Sequence, residues 1–324
     1  VGHSNHYASW AFFTLLAVRA LMGVVSAPMY PASAAAVGRW VAPESRSRTN
    51  GLITGGALIG VAASPPLFGA LMDLVDWPMA FLLSAAPTFA LASIWIAVAP
   101  RNSRDRLPRE TDTTGWWRLL SHRGLALLTL SYAAVGYFQY LFFYWMTYYF
   151  DKVLQLPESA SRGYAALPPL AMAVGMPLGG WLGDRLERRL GARKGRALMP
   201  MAGMTAGGLL LLCGVFAREP GWIVAWFSLA LGAVGTSEGA FWVTAVELGE
   251  RRGGSSAALL NTGGNAGGML APVITPWVGE WFGWGWAVGL GGLICLTGVL
   301  LWLGVAPPES KPSKVDLDGS STLC

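Results

Sequence analysis

Residues 179–196 read GGWLGDRLERRLGARKGR. An apolar run over 163–183 ends there and gives way to Arg185, Arg188, Arg189, Arg193, Lys194 and Arg196, before a second apolar run opens at 197. A helix needs about 20 apolar residues to cross a bilayer, and both runs reach that length. The stretch therefore reads as the junction of two membrane spans, on the side where basic residues are retained. Asp184 stands among these cations. It can cap a helix end or pair with a basic residue of a neighbouring element, and so hold one conformational state.

Working outward, the whole chain has the same character. Its 324 residues are 53% hydrophobic and 13% charged, and mean hydropathy is +0.45. A soluble domain carries about 25% charged residues. Sixteen Trp and 42 Gly suit aromatic belts and close helix packing in a bilayer. Nine apolar runs can be drawn, at 8–38, 50–72, 78–99, 124–150, 163–183, 197–217, 221–247, 255–280 and 284–306. The polar segment 100–123 divides three runs from six and reads as a solvated linker, with Trp116 and Trp117 marking a piece that lies on the membrane surface. The small-residue pairs Gly51/Gly55 and Gly56/Gly60 read as close helix packing.

Charge alternates between the loops. Those after the first, third, fifth, seventh and ninth runs hold 19 of the 23 basic residues, Arg39, Arg101, Arg251 and Lys311 among them. The opposite loops hold only Lys152, Arg162 and Arg218. Positive loops stay cytoplasmic, so the tail is expected inside and Val1 outside. That orientation, and the closeness of Val1 to the first run, read as a chain lacking its original N-terminal helices. The net charge of +5 is then a matter of topology, and no basic patch with interleaved aromatics points to nucleic acid.

The remaining basic residue is Arg19, in RALMGVVSAPMYP at 19–31. It lies eleven residues into its run, about 16 Å deep at 1.5 Å per residue. An Arg near the bilayer centre costs at least about 2.5–3.5 kcal/mol and needs a partner. Ser26 follows two helical turns later on the same face, and Tyr30 one turn further. The other ionisable group deep in a run is Glu238, in GTSEGAFW at 235–242. It is the candidate proton carrier and the expected counter-charge for Arg19 when no substrate is bound. Gln139 is expected to face about 100° away from Tyr140. Asn261 and Asn265 are four apart and share a face.

Three stretches, 19–51, 179–196 and NTGGNAGGMLAPVI at 261–274, together resemble the major facilitator superfamily. Within it they are similar to the anion:cation symporters, a family that includes sugar-acid, sialic acid, phosphate and vesicular glutamate transporters. The resemblance implies an all-α integral membrane fold with about nine of twelve helices present. Residues 1–99 would be the last three helices of the first half, 100–123 a cytoplasmic linker, 124–306 the complete second half and 307–324 a cytoplasmic tail. It also implies a central cavity worked by alternating access, with Arg19 meeting an anionic substrate and Tyr30, Tyr140, Trp242, Asn261 and Asn265 reading the rest of it. Gly180, Asp184 and Arg185 match the family's gating motif. The chain departs from the family at Ser26, where many members have a Glu that takes part in proton coupling, and at Ala57, where some sugar-acid carriers have Gln.

The expectation is a monomeric carrier in a bacterial inner membrane. It would move a small organic anion, a sugar acid or another carboxylate, coupled to a cation with Glu238 carrying the proton. The alternatives are an uncoupled facilitator or exchanger, a phosphate or sodium-coupled carrier, and a non-transporting sensor. An enzyme is not expected. GTSEG at 235–239 fits the Gly-x-Ser-x-Gly pattern, but it sits inside an apolar run with no His at hand. Cys213, Cys295 and Cys324 have no metal or disulfide spacing, and no cofactor is expected.

Overall fold

The computed structural model describes residues 2–98, 117, 119 and 121–305; among these there is no strand. The helices are α1 (Gly2–Ser26), α2 (Met29–Trp40), α3 (Arg46–Leu74), α4 (Trp77–Val98), α5 (Arg123–Tyr148), α6 (Glu158–Leu190), α7 (Ala192–Phe216), α8 (Pro220–Gly235), α9 (Glu238–Leu248), α10 (Gly253–Phe282) and α11 (Trp284–Trp302). Trp116, most of the 100–123 linker and the 307–324 tail lie outside the described residues.

Eight spans are long and apolar enough to cross a membrane, with α1–α2 and α8–α9 each counting as one. The remaining helix, α10, is 30 residues long, about 45 Å. Its Asn, Ser and Gly content lowers its hydropathy, but it packs along the full-length α5 and takes the place of the run expected at 255–280.

Two expected runs are broken. The first divides at Ala27–Pro28 into α1 and α2, because Pro31 has no N–H to give the Ala27 carbonyl and its ring crowds that oxygen. The seventh divides at Thr236–Ser237. There the Thr236 hydroxyl donates to Ala233 O at 2.7 Å and the Ser237 hydroxyl to Val234 O at 2.5 Å, competing for carbonyls that a continuous helix would use. Glu238 thus opens α9 at its electropositive N-terminal end.

The junction at 179–196 is shorter than a loop. Helix α6 runs on through Asp184 and Arg189 to Leu190, and α7 begins at Ala192. Gly191 alone makes the turn, with φ +80°, a conformation that favours glycine.

Helices α5–α11 form one bundle, in which α5 packs on α10 and α11, α6 on α8, and α7 on α8 and α11. Phe138, Leu141, Phe227, Leu231 and Phe241 fill its core with no exposed surface. Helices α3 and α2 lie against this bundle, on α6 and on α9 and α10 respectively. Carbonyls of α6 approach α3 so closely that a Cβ on Gly51 would stand 2.3 Å from Met176 O, and one on Gly55 2.7 Å from Ala173 O. Gly56 and Gly60 have nothing within 4 Å, so that pair makes no close packing among the described residues. All described side chains of α1 are exposed, and α4 buries only Ala80.

Candidate functional site

Glu238 is 2% exposed and its carboxylate is surrounded by donors. Tyr132 Oη donates to Oε2 at 3.0 Å, Trp242 Nε1 to Oε2 at 3.1 Å, and Gln139 Nε2 to Oε1 at 2.7 Å. Tyr132 and Gln139 stand two turns apart on one face of α5, and Trp242 one turn beyond Glu238 on α9. Three donors satisfy a buried carboxylate without a counter-ion.

This arrangement overturns one expectation: Glu238 does not pair with Arg19 among the described residues. Gln139 and Tyr140 meet different partners, Glu238 and Asn265. Tyr132 was not singled out at all. A polar side chain mid-span must find a partner, and the seven-residue spacing of Tyr132 and Gln139 was the available signal.

The Trp242 ring stacks on Tyr30 of α2, with centroids 6.0 Å apart at 24°, and meets Tyr132 edge-on at 5.9 Å. Tyr30 also lies within electrostatic range of Glu238 and Tyr140. Tyr140 Oη donates to Asn265 Oδ1 at 3.1 Å. The Asn265 amide donates in turn to Asn261 O at 2.9 Å and reaches Asn261 Oδ1 at 3.3 Å. Arg19 is exposed, with no hydrogen bond or ion pair among the described residues. Ser26 spends its hydroxyl on its own helix, donating to Met22 O at 2.7 Å.

A second cluster lies at the basic face of the spans. The Asp184 carboxylate accepts the amides of Ser47 at 3.1 Å and Arg48 at 3.0 Å, in the first turn of α3. A Cβ on Gly180 would stand 2.5 Å from Ser47 O, so only glycine lets α3 come this near. Arg185 lies over the Trp181 ring at 5.6 Å and points away from this contact. Beside it, Arg196 bonds both Glu187 and Glu247, and Glu247 also takes Arg46 at 3.4 Å. Arg46 donates to Gly38 O at 2.8 Å as well. Arg46 and Arg196 counted above as loop charges; they are in fact parts of a network that fastens α2 and α3 to the bundle.

The model of the Major Facilitator Superfamily matches residues 6–257 and 188–319. The chain is 25% identical over 309 residues to a chloroplastic ascorbate transporter of Arabidopsis thaliana, covering 89% of this chain and 56% of that protein. It is 23% identical over 319 residues to a D-galactonate transporter of Escherichia coli O6:H1, covering 90% and 73%. Vesicular glutamate transporter 3 of Danio rerio is 25% identical over 281 residues, covering 79% and 48%. The chain thus spans about half the length of several curated relatives that it matches. With its apolar spans and the matched family model, it belongs to the Major Facilitator Superfamily and is an integral membrane protein.

Proposed function

We propose that this chain works as a secondary active transporter that moves a small organic anion by alternating access. The observation that carries the reading is Arg19. It is a permanent cation within a span, and no protein anion among the described residues answers it. A guanidinium in that setting is matched by a carboxylate arriving from solution. Galactonate, ascorbate and glutamate, named for the relatives, are all small anions with a polar body. Asn261, Asn265 and Tyr140 offer donors and acceptors for such a body, and Tyr30 and Trp242 offer aromatic surface.

Glu238 is the proposed coupling group and a proton the proposed coupling ion. Asp184, Gly180 and the Arg46–Glu247–Arg196–Glu187 network are the proposed gate at the basic face. Residues 1–99 are the last three helices of one moving half and 124–306 the whole of the other, joined by 100–123. The basic loops and the 307–324 tail face the cytoplasm, and the carrier works as a monomer in a bacterial inner membrane.

The test is uptake of labelled D-galactonate into proteoliposomes holding the protein as its cell makes it, with and without an imposed proton gradient. Accumulation that needs the gradient and is lost in Arg19→Gln is the expected result. Failure to take up galactonate, ascorbate and glutamate alike would overturn the organic-anion reading. Ser26 favours a second reading, an uncoupled facilitator. Its hydroxyl cannot titrate and is already bonded to Met22 O. Equilibration without accumulation would support that alternative.

A further inference from the structure

Trp242 makes two contacts that no other described residue combines. Its ring packs on Tyr30 of α2, one moving half. Its indole N–H holds the carboxylate of Glu238 in the other half. We propose that Trp242 is the lever between protonation and opening. Ionised Glu238 draws the indole into place against Tyr30; a proton on Glu238 releases it, and the halves part along the Tyr30–Trp242 contact.

The chemistry of the donors gives the direction. Glu238 Oε2 accepts from both Tyr132 and Trp242. When water delivers a proton to Oε2, that oxygen becomes a donor. Tyr132 can respond, because a phenol oxygen also accepts. Indole nitrogen only donates, so with the proton on Oε2 Trp242 exchanges a charge-assisted bond to a carboxylate for a weak one to a carboxyl hydroxyl. Gln139 holds Oε1 at 2.7 Å and can turn its amide to suit either state. Tyr132 and Gln139 can adapt to either state and are positioning residues, and Trp242 is the group whose bond weakens without a replacement. The titratable groups facing Glu238 are Tyr132 on α5 and Tyr30 on α2; among the described residues no charged side chain of a neighbouring helix acts on it.

This inference rests on the transporter reading with Glu238 as coupling group, but its test needs no substrate. Spin labels at Arg39→Cys on α2 and Leu190→Cys on α6 report separation at the basic face, in the protein as its cell makes it, with Cys213, Cys295 and Cys324 replaced by Ser. Acidification without any anion should raise the ratio of open to closed molecules about tenfold, the worth of one charge-assisted hydrogen bond. Trp242→Phe keeps a ring against Tyr30 but has no N–H, and its ratio should lose the part of the pH response that Glu238 carries. Glu238→Gln should sit at the acid ratio at every pH. Replacing the indole by its benzothiophene isostere, which swaps N–H for sulfur at equal size, guards against a packing defect in the Phe variant. Asp184, Glu187 and Glu247 remain in all variants, so a response of theirs would persist in Trp242→Phe. A wild-type ratio indifferent to pH, or a Trp242→Phe ratio that follows pH as wild type does, would overturn the proposal. Loss of anion uptake with the pH response intact would instead sink the transport reading.

Discussion

Arg196, 1% exposed near the start of α7, reaches Glu247 near the end of α9, and the same carboxylate takes Arg46 from α3. One acid therefore serves a cation from α3 and one from α7. Arg46 is 22% exposed and Arg196 is not, so the two cations should differ in worth. Removing one partner of a buried pair costs about 3–5 kcal/mol, and the longer, more accessible contact of Arg46 should be worth less. Arg196→Gln should lower the melting temperature in detergent severely and Arg46→Gln only slightly. Equal losses would show that burial does not set the strength of this network.

Asp184 binds the backbone of α3, so the effect of this contact is separable from the side-chain chemistry of α3. Asp184→Asn keeps one carbonyl oxygen and loses the charge and the second acceptor. At least one of the Ser47 and Arg48 amides is then orphaned in a buried place, at about 1–3 kcal/mol. Ser47 is 3% exposed, so a cysteine at that position reports opening directly. Labelling of Ser47→Cys by a water-soluble maleimide should quicken at least tenfold when Asp184→Asn is added. An unchanged rate would mean that this cap does not hold the face shut.

Helices α5 and α10 touch backbone to backbone where Gly136 faces Gly264. A Cβ on Gly136 would fall 1.9 Å from the Gly264 carbonyl oxygen, and neither helix can yield without disturbing the other's packing. Overpacking of this kind costs about 1–3 kcal/mol or more. Gly136→Ala should reduce the yield of folded protein and its melting temperature. Gly56→Ala, with nothing within 4 Å, should change neither. Equal tolerance of both would place the two helices further apart than described.

How much of this was legible in the sequence follows from what each signal measures. Apolar runs report burial in lipid, and they located the eight spans found among the described residues. They carry no information on helix breaks, which at Ala27 and Ser237 come from Pro31 and from hydroxyls that bond the preceding turn. Counting Arg46 and Arg196 as loop charges served the expected orientation but hid their pairing, because charge counts are blind to Glu187 on the adjacent helix and to Glu247 on α9. Glu238 stood out as a lone acid in an apolar run. Its partners did not, since the acid was matched to Arg19 by charge. A carboxylate can equally be satisfied by neutral donors, and Tyr132, Gln139 and Trp242 supply three.

Tyr140, Asn265 and Asn261 form a chain of hydrogen bonds on the exposed side of α5 and α10, and this chain separates a binding role from a packing role. The Tyr140 ring rests near Phe143 at 5.9 Å and Tyr144 at 5.7 Å, contacts that Tyr140→Phe preserves. The variant loses only the hydroxyl that orients Asn265 Oδ1. One such bond is worth about 0.5–1.5 kcal/mol. Tyr140→Phe should therefore raise KM for galactonate uptake about fivefold, with the melting temperature near that of the wild type. Asn261→Ala should raise it further, because it removes both a partner of Asn265 and an amide of its own. If KM holds steady in both while stability falls, these residues are packing elements and the anion is read elsewhere in the cavity.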